Sequence, residues 1–462
     1  MSVLSLSLAR EIAYDAFVAV MQGGEKPHDV LERYYAKEGE KLRRLDRNFI
    51  KEILFGGLRW YSKIFWILQH TSRRDLGKSP PEIQASLVLG AYQIYYMDRV
   101  PDRAAVNESV EYVRKRGHAP ACSFVNGILR QIARRAEYFA KPDKSSHPVD
   151  YLALQFAHPR WLVDRWFKHF RFEKMEKMLA ANNKPPPHTV RLNSTKVALT
   201  EAHDFQSRIL KEEKIHSERR PLRSSLLFTD SPDLSSDSLF GQGFYTIQDE
   251  SSQLIASLVN VTEGDVVVDA CSGPGGKLSH LYELGGGKIR LVAVEKNEQQ
   301  VERSKETFRR LGLEPVEWIA DDFLKVTFPE KVSRVLLDAP CSGLGVLRRH
   351  PEGKWQKKET LITEMAAVQK ALIRHALTLL RPGGELIYSV CSFEPEESEH
   401  HLRALLREHG DLLEQVSPVA RLPDYYKKYV TRDNMFLVYG GNGDDMDGFA
   451  SFILKVKGPF GS

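Results

Sequence analysis

The stretch DVVVDACSGPGGK, residues 265–277, runs from three consecutive valines through an aspartate into a loop holding three glycines. A short apolar run of this kind reads as a strand covered on both faces, and a glycine-rich turn at its end lets backbone approach a ligand closely. Runs of the same texture follow at RLVAVE (290–295), PVEWIA (315–320), SRVLLDAP (333–340), GELIYSVCS (384–392) and DGFASFILKV (447–456). Helical stretches separate them, among them NEQQVERSKETFRRLG (297–312) and MAAVQKALIRHALTLLRPGG (365–384). Apolar strands alternating with helices predict a doubly wound, Rossmann-like α/β sheet over residues 246–462.

Parallel strands bring their carboxyl ends to one edge, so the residues that follow them meet in one crevice. Those residues are Asp269 and the loop CSGPGGK, then Glu295, Asp321 and Asp322, Asp338 with Cys341, and Cys391. Gly276 and Glu295 stand 19 positions apart, near the spacing at which a carboxylate accepts the hydroxyls of a ribose. Gly273, Gly275 and Gly276 lack the dinucleotide spacing, and Cys271 sits where a phosphate-binding loop needs a glycine. Nicotinamide and ATP chemistry are both disfavoured.

The four cysteines are Cys122, Cys271, Cys341 and Cys391, too few and too scattered for a disulfide framework, which favours the cytoplasm. None has a partner at zinc-site spacing, and Leu344 occupies the second cysteine position of a deaminase-type Pro-Cys-x-x-Cys, so no metal site is expected. A thiol with a pKa of about 8.5 is mostly protonated at neutral pH and needs help to act as a nucleophile. A lone buried cysteine is usually a small hydrophobe. Two at matching strand ends, one of them in DAPC (338–341), shift the reading towards chemistry.

Upstream, apolar residues recur at helical spacing from Ala9 to about Tyr138, which predicts a helical bundle with ASLVLGAYQIYYM (85–97) as its buried centre. KPDKSSHPVD (141–150) reads as a linker, and residues 150–245 as a small α+β adapter with aromatic and basic residues interleaved from Trp161 to Arg171. No 18-residue apolar run or export signal is present, so no membrane is expected. The net charge is +5, but residues 1–200 hold 33 Lys and Arg against 21 Asp and Glu, whereas the remainder holds 33 against 40. Such asymmetry suggests that the first part faces a polyanion, with Arg43-Arg44, Arg114-Lys115-Arg116 and Arg134-Arg135 as candidate phosphate contacts; each cluster taken alone is more often a solvated helix face.

Five motifs, DACSGPGGK, DAPCSG, RRHPEGKW, YSVCSFEPEESE and DGFASFILKV, occur in the order found in the Nop/Sun RNA cytosine-5 methyltransferases, which the C-terminal half resembles. LDRNFIKEILFGGLRW, LGAYQIYYMDRVPDRAAVNESVEYVRK and SFVNGILR resemble the NusB-like RNA-binding domain, placed here at residues 1–143. This pairing is typical of bacterial members acting on small-subunit (16S) ribosomal RNA.

The resemblance implies S-adenosylmethionine as cofactor. Cys271, Ser272, Gly273, Pro274, Gly275, Gly276 and Lys277 would hold its methionine and ribose parts, Glu295 the ribose hydroxyls, Asp321 or Asp322 the adenine region, and Asp338 would lie between cofactor and base. It makes Cys391 the thiol that adds to carbon 6 of cytosine, and Cys341 the thiol that assists breakdown of the adduct, with a protonated Asp338 supporting charge at ring nitrogen 3. Arg348, Arg349, His350 and Lys354 would grip the RNA backbone, with a merely basic loop around a core tryptophan, Trp355, as the less favoured reading. Val390 stands where threonine is usual before the nucleophile, and Glu295 where aspartate is common. Free or early-assembly ribosomal RNA is the expected partner and a monomer the expected state. Two rivals are a non-catalytic RNA-binding assembly factor and an α/β oxidoreductase; the intact cysteines and Asp338 oppose the first, the glycine spacing the second.

Overall fold

The computed structural model describes residues 6–134, 142–229 and 237–460. Arg135, Lys141 and most of the polar run 229–238 lie outside them. The chain divides into two compact units, residues 1–184 with 347–357, and residues 185–346 with 358–462. The residues expected to form an adapter therefore contribute helices to the first unit and a sheet to the second.

In the first unit the helix Pro81–Tyr96 has Pro81 at its first turn and buries nearly every side chain from Ile83 to Gln93. It packs against helices Leu8–Gly23, Arg44–Thr71, Asp102–Lys115 and Cys122–Arg134. Close approach to Arg44–Thr71 requires Gly56 and Gly57, because a Cβ at either would fall within 2.2 Å of Tyr92 or Leu89. Basic clusters on this unit are engaged by carboxylates: Arg114 pairs with Glu111, Lys115 with Glu11 at 2.7 Å, Arg116 with Asp15 and Glu11, and Arg43 with Asp46 at 3.1 Å. Trp166, on helix Arg160–Phe167, is fully buried, so the aromatic-basic stretch supplies core as well as surface.

The second unit opens with a four-stranded antiparallel sheet, β1 (His188–Leu192), β2 (Ser217–Arg219), β3 (Ser225–Phe228) and β4 (Tyr245–Ile247), in the order β2-β3-β1-β4. Its β1 carries Arg191, fully buried, which donates to Gly276 O at 2.8 Å, Ser279 Oγ at 2.9 Å and Glu283 Oε1 at 2.7 Å. These contacts fix the helix that follows the glycine loop. Breaking such a buried pair by removing one partner costs about 3–5 kcal/mol.

The larger sheet comprises β5 (Val266–Asp269), β6 (Arg290–Val294), β7 (Glu317–Ile319), β8 (Val332–Asp338), β9 (Leu380–Val390), β10 (Leu413–Val416), β11 (Phe436–Val438) and β12 (Phe449–Val456). The order is β10-β12-β9-β8-β5-β6-β7, with β11 on β12. Strands β5 to β9 are mutually parallel and β12 runs antiparallel to β9 with Ala450 opposite Val390. The start of β12 therefore lies at the same edge as the ends of β8 and β9. This is the expected Rossmann-like sheet; the short β10 and β11 are additions to the strands expected.

Candidate active site

The loop after β5 bends through Gly273 (φ +52°) and Gly275 (φ +86°) into the helix Gly276–Gly285. A side chain at Gly275 would put its Cβ 2.4 Å from Ser304 Oγ, so glycine is required there for space as well as for conformation. Gly273 N–H donates to Glu295 Oε2 at 3.0 Å and Asn297 N–H donates to Oε1 at 2.9 Å. Glu295 is thus held against the loop with lone pairs left for further donors. At the end of β7, Asp322 accepts from Leu324 N–H at 3.0 Å and caps the short turn Phe323–Lys325, while the more exposed Asp321 accepts from Asp322 N–H at 2.7 Å.

Asp269 was legible only as a strand end. Both of its carboxylate oxygens are buried without a hydrogen-bond partner. Burial, then the charge of Asp338, pushes it up to about 7; Lys277 opposes this and Glu295 adds to it. Two orphaned acceptors beside a glycine loop and a ribose-type carboxylate fit S-adenosylmethionine, whose ammonium and hydroxyl groups are donors. Cys271, half-buried in the same loop, is pushed up by burial and by Asp269, Glu295 and Asp338, which keeps it a neutral thiol.

The raised Asp269 has a consequence for stability. The folded state holds the proton more tightly than the unfolded chain, whose group titrates near 3.8, so stability falls as pH rises from about 4 to about 7. Asp269→Asn is expected to match wild type below pH 4 and to exceed it at pH 8 by up to about 4 kcal/mol, while losing stabilisation by S-adenosylmethionine. Thermal unfolding across pH, with and without the cofactor, checks both.

Cys341 and Cys391 meet at a sulfur–sulfur distance of 3.3 Å. Chain crossings hold them: Gly345 N–H donates to Cys391 O at 3.0 Å, and Gly448 N–H donates to Gly345 O at 2.9 Å. A Cβ at Gly345 would lie 2.1 Å from Gly448 O, so the approach depends on glycine. The hydrogen bond to Cys391 and burial push the Cys341 thiol well above its ordinary range, with the charges of Cys391, Glu397 and Asp338 acting the same way. These influences favour the protonated form of Cys341 and so favour it as the donor towards Cys391.

Asp338, the last residue of β8, accepts from Lys277 Nζ at 2.6 Å and, through its other oxygen, from Ser389 Oγ at 2.7 Å. Ser389 stands opposite it in the β8–β9 register. For Lys277, burial works against charge, but the charge and hydrogen bond of Asp338 and the charges of Cys391 and Asp269 outweigh it and hold the lysine above its ordinary value. Asp338 thus has a donor on each of its oxygens, Lys277 on one and Ser389 on the other.

The loop read as an RNA grip is arranged differently. It belongs to the first unit, where Lys354 is 1% exposed and its ammonium donates to Asn183 Oδ1 at 2.6 Å, Arg59 O at 3.1 Å and Ala157 O at 3.2 Å. Burial pulls its pKa well down, and Arg59 adds to this. Trp355 Nε1 donates to Leu58 O at 2.6 Å. Arg348 is buried, Arg349 and His350 are half-buried, and His350 lies 3.3 Å from Glu352. Lys354 thus fills a structural socket. Lys354→Ala strands three buried acceptors and is expected to cost roughly 2–5 kcal/mol while leaving RNA affinity per folded molecule unchanged; denaturant unfolding and RNA titration check the two parts.

Among the described residues no group of three or more His, Cys, Asp or Glu side chains is arranged to hold a metal ion, and no helix is long and apolar enough to cross a membrane.

Family models match three successive parts of the chain: the NusB family at residues 7–134, the ferredoxin-like domain of RsmF/B-like methyltransferases at 158–231, and the 16S rRNA methyltransferase RsmB/F at 256–452. The probable ribosomal RNA small subunit methyltransferase B of Bacillus subtilis (strain 168) is 32% identical over 97% of this chain and 99% of its own length. The ribosomal RNA small subunit methyltransferase B of Yersinia pseudotuberculosis (serotype O:1b, strain IP 31758) is 31% identical over 87% of this chain and 90% of its own. The crystal structure of PH0851 shares the fold, with a TM-score of 0.80 at 22% identity over 98% of this chain and all of that one. With the glycine loop, the orphaned Asp269 and the thiol pair at one sheet edge, these likenesses lead to one assignment: the chain belongs to the S-adenosylmethionine-dependent ribosomal RNA small subunit methyltransferase B family.

Proposed function

We propose that the protein methylates carbon 5 of a cytidine in 16S ribosomal RNA through a covalent adduct between Cys391 and carbon 6 of the base. The observation that carries this reading is the pairing of two thiols at 3.3 Å beside the Lys277–Asp338 pair, all at one strand edge. Carbon 5 of cytosine is too poor a nucleophile to take a methyl group unaided. Cys391, as thiolate, forms a carbon–sulfur bond at carbon 6, and the electron pair of the ring double bond moves towards carbon 5 and ring nitrogen 3. Lys277, oriented by Asp338, supplies a hydrogen bond to the ring as charge develops on it. S-adenosylmethionine, when bound, supplies an electrophilic methyl group on a sulfonium sulfur. Asp269, the loop 271–277, Glu295 and Asp321 or Asp322 are the residues that would hold it. Loss of the carbon 5 proton to water then restores the double bond and expels the sulfur of Cys391, whose returning negative charge the Cys341 thiol stabilises.

A base in a duplex cannot reach such a crevice, so the substrate is an exposed or flipped nucleotide. In this reading the helical unit of residues 1–143 contacts RNA, the protein is a cytoplasmic monomer, and the RNA is free or newly assembling. Bisulfite mapping of 16S ribosomal RNA from cells with and without the protein tests the function. Loss of protection at one or a few cytidines, restored by wild type and not by Cys391→Ala, is the expected pattern; an identical map in all three strains would refute it.

A further inference from the structure

Glu397 lies in the acidic run that follows Cys391, yet it is fully buried. Its Oε1 accepts from Ser342 N–H at 2.7 Å and Gln369 Nε2 at 3.1 Å; its Oε2 accepts from Ser342 Oγ at 2.5 Å and Ser392 Oγ at 2.6 Å. Its own carbonyl accepts from Tyr388 Oη at 2.6 Å. Ser342 directly follows Cys341 and Ser392 directly follows Cys391. One carboxylate therefore ties together two loops whose cysteines are 50 positions apart in the chain. Gln369 extends the tie, since its Nε2 also donates to Pro340 O at 2.9 Å, on the other side of Cys341.

We infer that Glu397 is a positioning residue for catalysis: by clasping both cysteine loops it sets the sulfur–sulfur distance at which the Cys341 thiol supports the sulfur of Cys391. The inference rests on the covalent-adduct reading above and adds the group that makes the thiol pair a unit. Charge-assisted hydrogen bonds to a carboxylate are the strong kind, and four of them converge on this one. The negative charge of Glu397 also favours the protonated form of Cys341. Neither oxygen faces a cation among these contacts, so the group holds position and does not neutralise a charge.

Loss of the clasp should act as loss of the Cys341 thiol does. Glu397→Gln keeps the shape and one accepting oxygen, so the fold and cofactor affinity survive, but the two serine hydroxyls lose their anionic acceptor. Ser392→Ala removes a single donor and is milder. With unmodified RNA, Glu397→Gln is expected to lower kcat at least tenfold with KM for RNA and cofactor within twofold of wild type, and to accumulate a denaturant-stable protein–RNA complex. Ser392→Ala should do the same to a smaller extent, by roughly threefold. Adding Cys341→Ala to Glu397→Gln should bring little further change, because the two act through one contact. A merely destabilised enzyme would form less complex and would add its defect to that of Cys341→Ala. The inference is overturned if both variants turn over at the wild-type kcat without accumulating complex, or if the double variant is additive. Should Cys341→Ala itself accumulate no complex, the adduct reading fails instead.

Discussion

Cys391→Ala should abolish methyl transfer, with a loss on the order of 10⁴-fold or more, the scale at which removal of a covalent nucleophile acts. The reason lies in the electron flow. Without a carbon–sulfur bond at carbon 6, carbon 5 lacks the electron density to receive the methyl group, and Cys341 is a poor substitute because its hydrogen bond to Cys391 and its burial disfavour its thiolate. The structural cost should be small. Cys391 is half-buried, and the bond that ties its loop runs from Gly345 N–H to its backbone oxygen, which alanine retains. Heat-stabilisation by S-adenosylmethionine should therefore survive, which separates loss of chemistry from loss of fold. Methyl incorporation from labelled cofactor into 16S ribosomal RNA, alongside thermal shift, reads both.

Cys341→Ala should have a different signature. On the proposed mechanism Cys391 reacts as the thiolate, so the Cys341 thiol is the donor across their 3.3 Å contact, and a hydrogen bond to a charged acceptor is worth roughly 1.5–3 kcal/mol. That bond stabilises the Cys391 thiolate both before it attacks and after it leaves. Its removal makes the thiolate a stronger nucleophile and a poorer leaving group, so the enzyme stays joined to the RNA. Release should slow by roughly 10- to 150-fold, and a denaturant-stable complex should accumulate without any base analogue. A variant that turned over freely with no complex would show that Cys341 is a bystander.

The sheet and the residues at its edge were legible because parallel strands covered on both faces must be continuously apolar, and the residue after each such run is carried to the same edge. Asp338, Cys341, Cys391 and Glu295 could be placed on that rule alone. LEQV (413–416) and FLV (436–438) escaped because they are short, and become strands only through register with β12. Burial of charged side chains was the larger gap. Lys354 looked like a phosphate ligand because local sequence does not reveal that acceptors at Arg59, Ala157 and Asn183 converge on it. Glu397 sits in an acidic run that resembles solvated surface, and only the return of the chain past Ser342 turns it inward. Asp269 could be placed but not its protonation, which depends on how completely its oxygens are enclosed.

The claim on which the rest depends is that Cys391 bonds to the base. RNA bearing 5-fluorocytidine at the target position has no carbon 5 proton to lose, so a covalent intermediate formed on it cannot resolve. Digestion of the trapped complex and mass spectrometry of the peptide attached to RNA should identify Cys391, and the Cys391→Ala protein should yield no complex. Attachment through Cys341, or complete methylation of natural RNA by a protein lacking the Cys391 sulfur, would contradict the account.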